Sequence, residues 1–245
     1  MAKVSVQFLG SGDAFGSGGR LHTCILLAGQ TQCLVDCGAT ALIAMQQYGI
    51  DSNRISTIFL THLHGDHASG IPFFILDAQL NRQRTQPLTI VGPPGTTAWY
   101  PQVMEVMFPG SSAVTRKFTI TIIEFIPDRP QTINGIEFVP FPVMHGNIPA
   151  FALRLSLDGK IITYSGDTQW TDTLLAAANG ANLFIVEAYF YEKAVKNHLN
   201  YSTLKLYWDK FQAKRIILTH LHNDLLGRLE QLDAETARDG MLLEL

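Results

Sequence analysis

The stretch His62-Leu63-His64-Gly65-Asp66-His67 places four candidate metal ligands within six residues of the chain. A short apolar run precedes it and predicts a buried strand that ends where the stretch begins. Because side chains alternate along extended backbone, His62 and His64 point to one face. Asp66 and His67 follow in the turn that opens the next predicted helix. Imidazole and carboxylate groups at this density predict a site for Zn²⁺, Mn²⁺ or iron.

Three further candidates lie elsewhere in the chain, each just past the carboxyl end of an apolar, strand-like run. They are His145, Asp167 and His220. Active sites of α/β proteins commonly collect at such strand ends. Taken singly, each residue would be an ordinary turn residue more often than a ligand. Together with the first four ligands they fill two coordination shells, so we predict a two-metal centre.

The composition is that of a compact globular protein. Of the 245 residues, 47% are hydrophobic and 16% are charged, and the net charge of -3 offers no global attraction for nucleic acid. No apolar run is long enough to span a membrane, and three cysteines without a signal peptide predict a reducing cytoplasm. We keep a local basic surface patch as an alternative, formed by Arg82, Arg84, Arg116, Lys117 and Arg129.

Strand-like and helical stretches alternate along the chain, and no linker divides it, so we expect a single domain over residues 1–245. Thr61–Asp66 is echoed by Thr219–Asp224, which fits two related β-rich halves. The predicted strands are Val4–Leu9, Cys24–Ala28, Gln32–Asp36, Thr57–Leu60, Leu88–Val91, Phe118–Phe125, Ile136–Val143, Ala150–Leu157, Lys160–Tyr164, Leu183–Glu187 and Arg215–Leu218. The predicted helices are Ala39–Tyr48, Ala68–Leu80, Thr96–Phe108, Thr171–Asn179, Ser202–Lys210 and Leu225–Leu232.

These residues resemble a known family. The opening stretch matches the H-x-H-x-D-H signature of the metallo-β-lactamase superfamily, and His145, Asp167 and His220 match its later ligand positions in order. Three glycine-containing segments look like the ribonuclease Z branch: Phe8–Gly12, Val35–Gly38 and Gly92–Thr96. The resemblance covers nearly the whole chain.

The resemblance implies an α/β fold, the four-layer αββα sandwich, with a dinuclear centre that most often holds two Zn²⁺ ions. One metal would be held by His62, His64 and His145, the other by Asp66, His67 and His220, with Asp167 as the bridge. Two such metals can share a water and lower its pKa toward ~7, giving a hydroxide nucleophile. Asp66 could also accept a proton from that nucleophile.

Protonation of the leaving group requires a further residue. The resemblance implies a Glu and a His between the bridging Asp and the last ligand, and Glu187 and His198 occupy similar places. His198 could be a general acid oriented by Glu187; alternatively, it caps or precedes the helix that follows. Asp36 is expected to hydrogen-bond a ligand His from beneath the site. His22 and His222 stay outside the predicted shells.

The substrate is predicted from what separates two of the ligands. Ribonuclease Z proper carries a long transfer-RNA-binding arm in the interval that corresponds here to Gly146–Gly166, which contains only a short predicted hairpin. We therefore expect a small phosphoester or nucleotide-type substrate, such as a cyclic nucleotide. Cleavage of transfer RNA at its 3′ side, or of a carboxylic ester, lactone or thioester, remains the alternative.

Two other functional classes and the oligomeric state complete the expectations. Gly10-Ser11-Gly12 after a strand, with Asp36 downstream, loosely resembles a Rossmann fingerprint, but its third Gly is misplaced. A non-catalytic scaffold is disfavoured because the ligand set is complete. The predicted helix Thr96–Phe108 has the apolar content of a homodimer interface or, equally, of a core helix.

Overall fold

The computed structural model describes residues 3–245, so the first two residues of the expected domain lie outside the described residues. The strands are β1 (Ser5–Gly10), β2 (Cys24–Ala28), β3 (Gln32–Val35), β4 (Ile55–Phe59), β5 (Leu88–Gly92), β6 (Ile120–Glu124), β7 (Gln131–Ile133), β8 (Ile136–Pro142), β9 (Phe151–Leu157), β10 (Lys160–Tyr164), β11 (Leu183–Glu187), β12 (Ile216–Thr219), β13 (Glu235–Thr236) and β14 (Leu242–Glu244). The helices are α1 (Ala41–Gln47), α2 (Gly65–Ala68), α3 (Ile71–Leu76), α4 (Thr96–Met107), α5 (Thr173–Ala178), α6 (Tyr201–Tyr207) and α7 (Asn223–Leu226).

The strands form two seven-stranded sheets, ordered β14-β1-β2-β3-β4-β5-β6 and β13-β12-β11-β10-β9-β8-β7. In each sheet, three antiparallel pairings are followed by three parallel ones when the order starts from β14 or from β7. The antiparallel pairing of β1 with β2 excludes the parallel βαβ unit that a Rossmann fingerprint requires.

Three apolar layers hold the sheets and helices together. Phe8, Phe138 and Ile185 belong to the central layer between the two sheets, and separate clusters join each sheet to the helices on its outer side. Strands such as β2 are buried on both faces, which explains why they are continuous apolar runs in the sequence. The layers confirm the predicted αββα sandwich.

Most predicted strands and helices are confirmed to within two residues, but two helices are wrong as drawn. Ala68–Leu80 divides into α2, α3 and a π-helical turn at Asp77–Asn81. Pro72, at the start of α3, has no N–H to bond the carbonyl of Ala68, and Gly70 between the two helices lies against the backbone of Gly38. The predicted helix Leu225–Leu232 is also two elements, the short α7 and a separate 3₁₀ turn.

The similar segments Thr61–Asp66 and Thr219–Asp224 each connect a strand to a helix, but those two strands do not hold equivalent positions in the two sheets. One follows β4 and leads into α2, and the other follows β12 and leads into α7. In the shared pairing pattern, however, β4 is the counterpart of β11 and not of β12. The two halves are therefore alike in topology, while the echoed sequence does not mark matching strands.

Arg84 corrects the expectation of a basic surface patch. Its side chain is buried and donates hydrogen bonds to backbone carbonyls, including Ser52 O at 3.0 Å, Ile55 O at 2.8 Å and Pro87 O at 2.7 Å. A guanidinium presents five donors in a fixed fork, so it can tie several loop carbonyls together at once. Arg84 is thus a structural residue that joins the turn before β4 to the turn before β5.

Helix α4 has the packing of a core helix on one side. Trp99, Tyr100 and Met104 pack against the core of the first sheet, whereas Val106 and Met107 are exposed. Within residues 3–245, every helix is too short or too polar to span a lipid bilayer.

Candidate metal centre

The seven predicted ligands come together at one edge of the sandwich, between the two sheets. They are supplied by the segments that follow β4, β8, β10 and β12, whose carboxyl ends share this edge. Two sets of side chains place one ligand atom each within 4.8 Å of the others: His62, His64 and His145, and Asp66, His67, Asp167 and His220. Residues that are up to 158 positions apart in sequence thus form one cluster.

Asp167 lies at the centre of the cluster. Its two carboxylate oxygens are 3.3 Å from His67 Nε2 and 3.4 Å from His220 Nε2, and 3.8–3.9 Å from the Nε2 atoms of His145 and His62. The carboxylate of Asp167 therefore lies between the imidazoles of the two sets.

Several buried atoms of the cluster have no hydrogen-bond partner among residues 3–245. They are His62 Nε2, His67 Nε2 and Asp167 Oδ1. A buried polar atom without a partner costs about 1–3 kcal/mol, and such atoms are rare in folded proteins. Here the three atoms converge on one point and all carry lone pairs, so the residues present fit divalent cations.

Asp36 supports the cluster from beneath, as the sequence predicts. Its carboxylate accepts hydrogen bonds from Thr61 N and Thr61 Oγ1, both at 2.8 Å, and from His67 Nδ1 at 2.6 Å. Because Nδ1 of His67 donates its proton here, Nε2 keeps its lone pair and turns it to the cluster.

The other supporting partners impose the same orientation. Thr61 Oγ1 donates to Asp36 and accepts from His62 Nδ1 at 3.0 Å, and the carbonyl of Asn197 accepts from His145 Nδ1 at 2.9 Å. Thr23 Oγ1 lies 3.4 Å from His220 Nδ1. In each case Nε2 faces the cluster. The sequence analysis missed Thr23 and Asn197, because no local pattern marks a residue that contacts a ligand from another segment.

Backbone strain and close packing concentrate at the same place. Asp36 and His220 both have left-handed backbone, with φ of 60° and 61°, a conformation that costs a non-glycine residue energy unless its surroundings hold it. A Cβ atom at Gly38 would lie 2.2 Å from the carbonyl oxygen of Asp66. Only glycine therefore allows the loop after β3 to approach α2 this closely.

Glu187 and His198 form a pair at the side of the cluster. His198 Nδ1 donates to Glu187 Oε2 at 3.0 Å, and Thr168 N donates to the other oxygen. Burial alone would lower the pKa of His198, but the hydrogen bond and charge of buried Glu187 outweigh it and raise that pKa to about 9. Both the hydrogen bond and the negative charge of Glu187 favour the protonated ring. Asn200, and not His198, caps α6, which removes the capping alternative.

A cavity of about 200 Å³ opens onto the cluster. Five of the predicted ligands line it, Asp167 among them. The other lining residues are His198, Tyr189, Asn197 and the loop residues Ala14 and Phe15. Phe15 is 80% exposed at the rim, and the ring of Tyr189 stacks on His198 at 4.6 Å. Neither aromatic residue was singled out from the sequence; an apolar side chain inside the glycine-rich loop is the one signal that points to Phe15.

Comparison with known proteins places the chain in a family. A family model described as anti-Pycsar protein Apyc1 matches residues 4–234. The chain belongs to the Apyc1 family. A ribonuclease Z of Methanothermobacter thermautotrophicus is 29% identical over 271 residues, covering 89% of this chain and 86% of the relative.

Solved structures share the fold over the full length of this Apyc1-family chain. The metallo-beta-lactamase fold protein YhfI from Bacillus subtilis has a TM-score of 0.80 at 21% identity and covers 100% of both chains. The short form of human tRNase Z has a TM-score of 0.80 at 24% identity and covers 98% of both chains. These findings confirm the predicted superfamily and its ribonuclease Z-like branch.

The two remaining histidines lie outside the cluster of this Apyc1-family member. His222 precedes α7, and its Nδ1 accepts a hydrogen bond from Asp224 N at 3.1 Å, so it is a helix cap. His22 belongs to neither ligand set among the described residues.

Replacing the supporting carboxylate should weaken metal binding. We expect Asp36→Asn to lower metal affinity about 10–100-fold, because His67 loses the charged acceptor that orients it. Competition with a chromophoric chelator measures the affinity. Asp128→Asn is the matched control, since Asp128 is exposed and also has left-handed backbone, with φ of 57°. Wild-type affinity in a folded Asp36→Asn protein would contradict the supporting role.

Proposed function

We propose that this chain hydrolyses the phosphodiester bond of a small, nucleotide-type substrate and that residues 1–245 act as one hydrolase domain. It is a metal-dependent hydrolase of the ribonuclease Z-like branch. The observation that carries the proposal is the cluster of buried imidazoles and carboxylates whose convergent atoms lack hydrogen-bond partners among residues 3–245. Such a donor set suits a pair of divalent cations beside a substrate cavity.

The proposed ligands follow the two sets of the cluster. His62, His64 and His145 would hold one cation, Asp66, His67 and His220 the other, with Asp167 between them. Nitrogen donors outnumber oxygen donors five to two in this list, which favours Zn²⁺ over Mn²⁺, with iron as the third choice. When bound, the metals would supply a lowered water pKa and neutralise charge on the phosphoryl oxygens.

The chain's own residues then handle the protons. Asp66, at the floor of the cavity and 8% exposed, can accept a proton from the attacking water. His198 can give a proton from Nε2 to the leaving oxygen, because Nδ1 is held by Glu187 and the carboxylate of Glu187 favours the protonated ring. Glu187 positions the ring and stabilises its charge.

The size of the substrate is inferred from the segment between His145 and Asp167. Only the hairpin of β9 and β10 occupies the place of the arm, and the cavity over the cluster measures about 200 Å³. A net charge of -3 adds no general attraction for RNA. The ribonuclease Z relative keeps a nucleic-acid substrate as the second candidate.

The central experiment combines metal analysis with a substrate panel. Protein purified under metal-replete conditions should contain about two transition-metal ions per chain and should hydrolyse bis-p-nitrophenyl phosphate, with activity lost on chelation and restored by Zn²⁺. Asp167→Asn should lose both metal and activity, whereas Asp128→Asn should keep both. Trace metal only, or turnover of p-nitrophenyl acetate and a lactone but of no diester, would refute the proposal. Faster cleavage of a 3′-extended transfer RNA would move the substrate class to nucleic acid.

A general-acid role of His198 predicts an effect that depends on the leaving group. His198→Asn should lower kcat about 10²–10⁴-fold for diphenyl phosphate, whose phenolate leaves poorly, and much less for bis-p-nitrophenyl phosphate. His222→Asn is the matched control, because asparagine also caps a helix and His222 lies outside the ligand sets. An equal loss on both substrates would assign His198 a role other than proton donation.

We also propose that the chain is a homodimer in a reducing cytoplasm. The exposed residues Leu80 and Met107 line an apolar groove of about 560 Å³ between the π-helical turn after α3 and the end of α4, and the three cysteines are buried free thiols. Light scattering should give the mass of two chains for the wild type and of one chain for Leu80→Glu. Ile43→Glu, at an exposed site on α1, should leave the mass unchanged. A wild-type mass of one chain would overturn the dimer.

A further inference from the structure

We propose that an apolar slot beside the metal centre binds the ring-shaped group that stays attached to phosphorus, so that the enzyme prefers diesters bearing an aryl or nucleobase group over alkyl diesters. The slot is lined by Leu63, His64, Pro93, Pro94, Ile148 and Pro149 and measures about 130 Å³. The inference deepens the proposed function and rests on it.

The slot adjoins the metal centre through a shared side chain. His64 lines both the slot and the cavity of about 200 Å³ over the cluster. Its Nδ1 lies 3.0 Å from Nε2 of His145, within one of the two ligand sets. A phosphoryl group held at the cluster would therefore have one of its substituents next to the slot.

The chemistry of the walls selects an uncharged, flat group. Prolines and aliphatic side chains form every wall except the one that His64 provides, and none of the described lining residues carries a carboxylate, ammonium or guanidinium group. Burying a charge in such surroundings is costly, whereas an apolar ring gains by leaving water. Proline walls are rigid, so ordering them around a ligand costs little entropy.

The volume of the slot fits one ring. A cavity of about 150 Å³ lined by apolar side chains is known to accept benzene, and the slot is of that order. An alkyl group as small as methyl would leave most of it unfilled. The two kinds of diester should thus differ in how much apolar surface they bury there.

The position of His198 decides which substituent enters the slot. The ring of His145 packs against His64 at 4.9 Å between centroids and against His198 at 5.0 Å. His198, the proposed proton donor to the leaving group, and His64, one wall of the slot, therefore contact the same ring of His145. The leaving oxygen belongs on the His198 side, which leaves the slot for the group that remains on phosphorus.

Two diesters with the same leaving group test the slot. We would measure kcat/KM for bis-p-nitrophenyl phosphate and for methyl p-nitrophenyl phosphate and follow their ratio. Ile148→Trp, which fills the slot, should lower the aryl-to-methyl ratio at least tenfold, and Ile148→Ala, which removes a wall, should lower it in the same direction through a higher KM for the aryl diester. Ile43→Trp repeats the substitution at a 56% exposed site on α1 and should leave the ratio unchanged.

The outcomes separate the slot from the function on which it depends. Cleavage of both diesters with a ratio that is equal in the wild type and both Ile148 variants would overturn the slot and leave the phosphodiesterase intact. A metal-loaded wild type that cleaves neither diester would overturn the proposed function and the slot together. A ratio that falls in both variants and holds in Ile43→Trp supports the slot even if one variant loses stability.

Discussion

Buried lone pairs that no protein donor satisfies are the constraint on which the rest of this structure depends. His62 Nε2, His67 Nε2 and Asp167 Oδ1 are closed off from water and lack hydrogen-bond partners among residues 3–245. Two carboxylates and several imidazoles packed this closely are stable only if something positive lies among them. A cation bound here would therefore stabilise the folded state, and the surrounding elements hold these atoms close together.

The scaffold meets this constraint by stacking two sheets of the same pairing pattern so that their strand ends share an edge. The cost is visible locally, in the left-handed backbone of Asp36 and His220 and in the close approach of Gly38 to α2. Hydrogen bonds from Thr61 to Asp36 hold part of this arrangement in place. Strain of this kind persists where the surrounding structure fixes it, and it concentrates at functional sites.

Local pattern predicted the strands well and the helices less well, for a physical reason. Strands such as β2 and β11 are buried on both faces, so their apolar runs are conspicuous in sequence. The break between α2 and α3 falls where Pro72 cannot donate to the carbonyl of Ala68, a local signal that the predicted continuous helix overlooked, and where Gly70 meets the backbone of Gly38, 32 positions away. Arg84 was expected at the surface because charged side chains are usually exposed. Its guanidinium is instead buried and donates hydrogen bonds to backbone carbonyls.

The sequence by itself determined the residue types and spacing of the seven-member cluster, because these follow from short motifs. Through the resemblance of those motifs to the metallo-β-lactamase superfamily it also implied the αββα class. Only the tertiary structure decided that His198 turns to Glu187 and away from capping α6, that Thr23 and Asn197 orient two of the imidazoles, and that an apolar slot adjoins His64. These are contacts between segments distant in the chain. Local propensity carries no information about them, because their energy exists only once both sheets have packed.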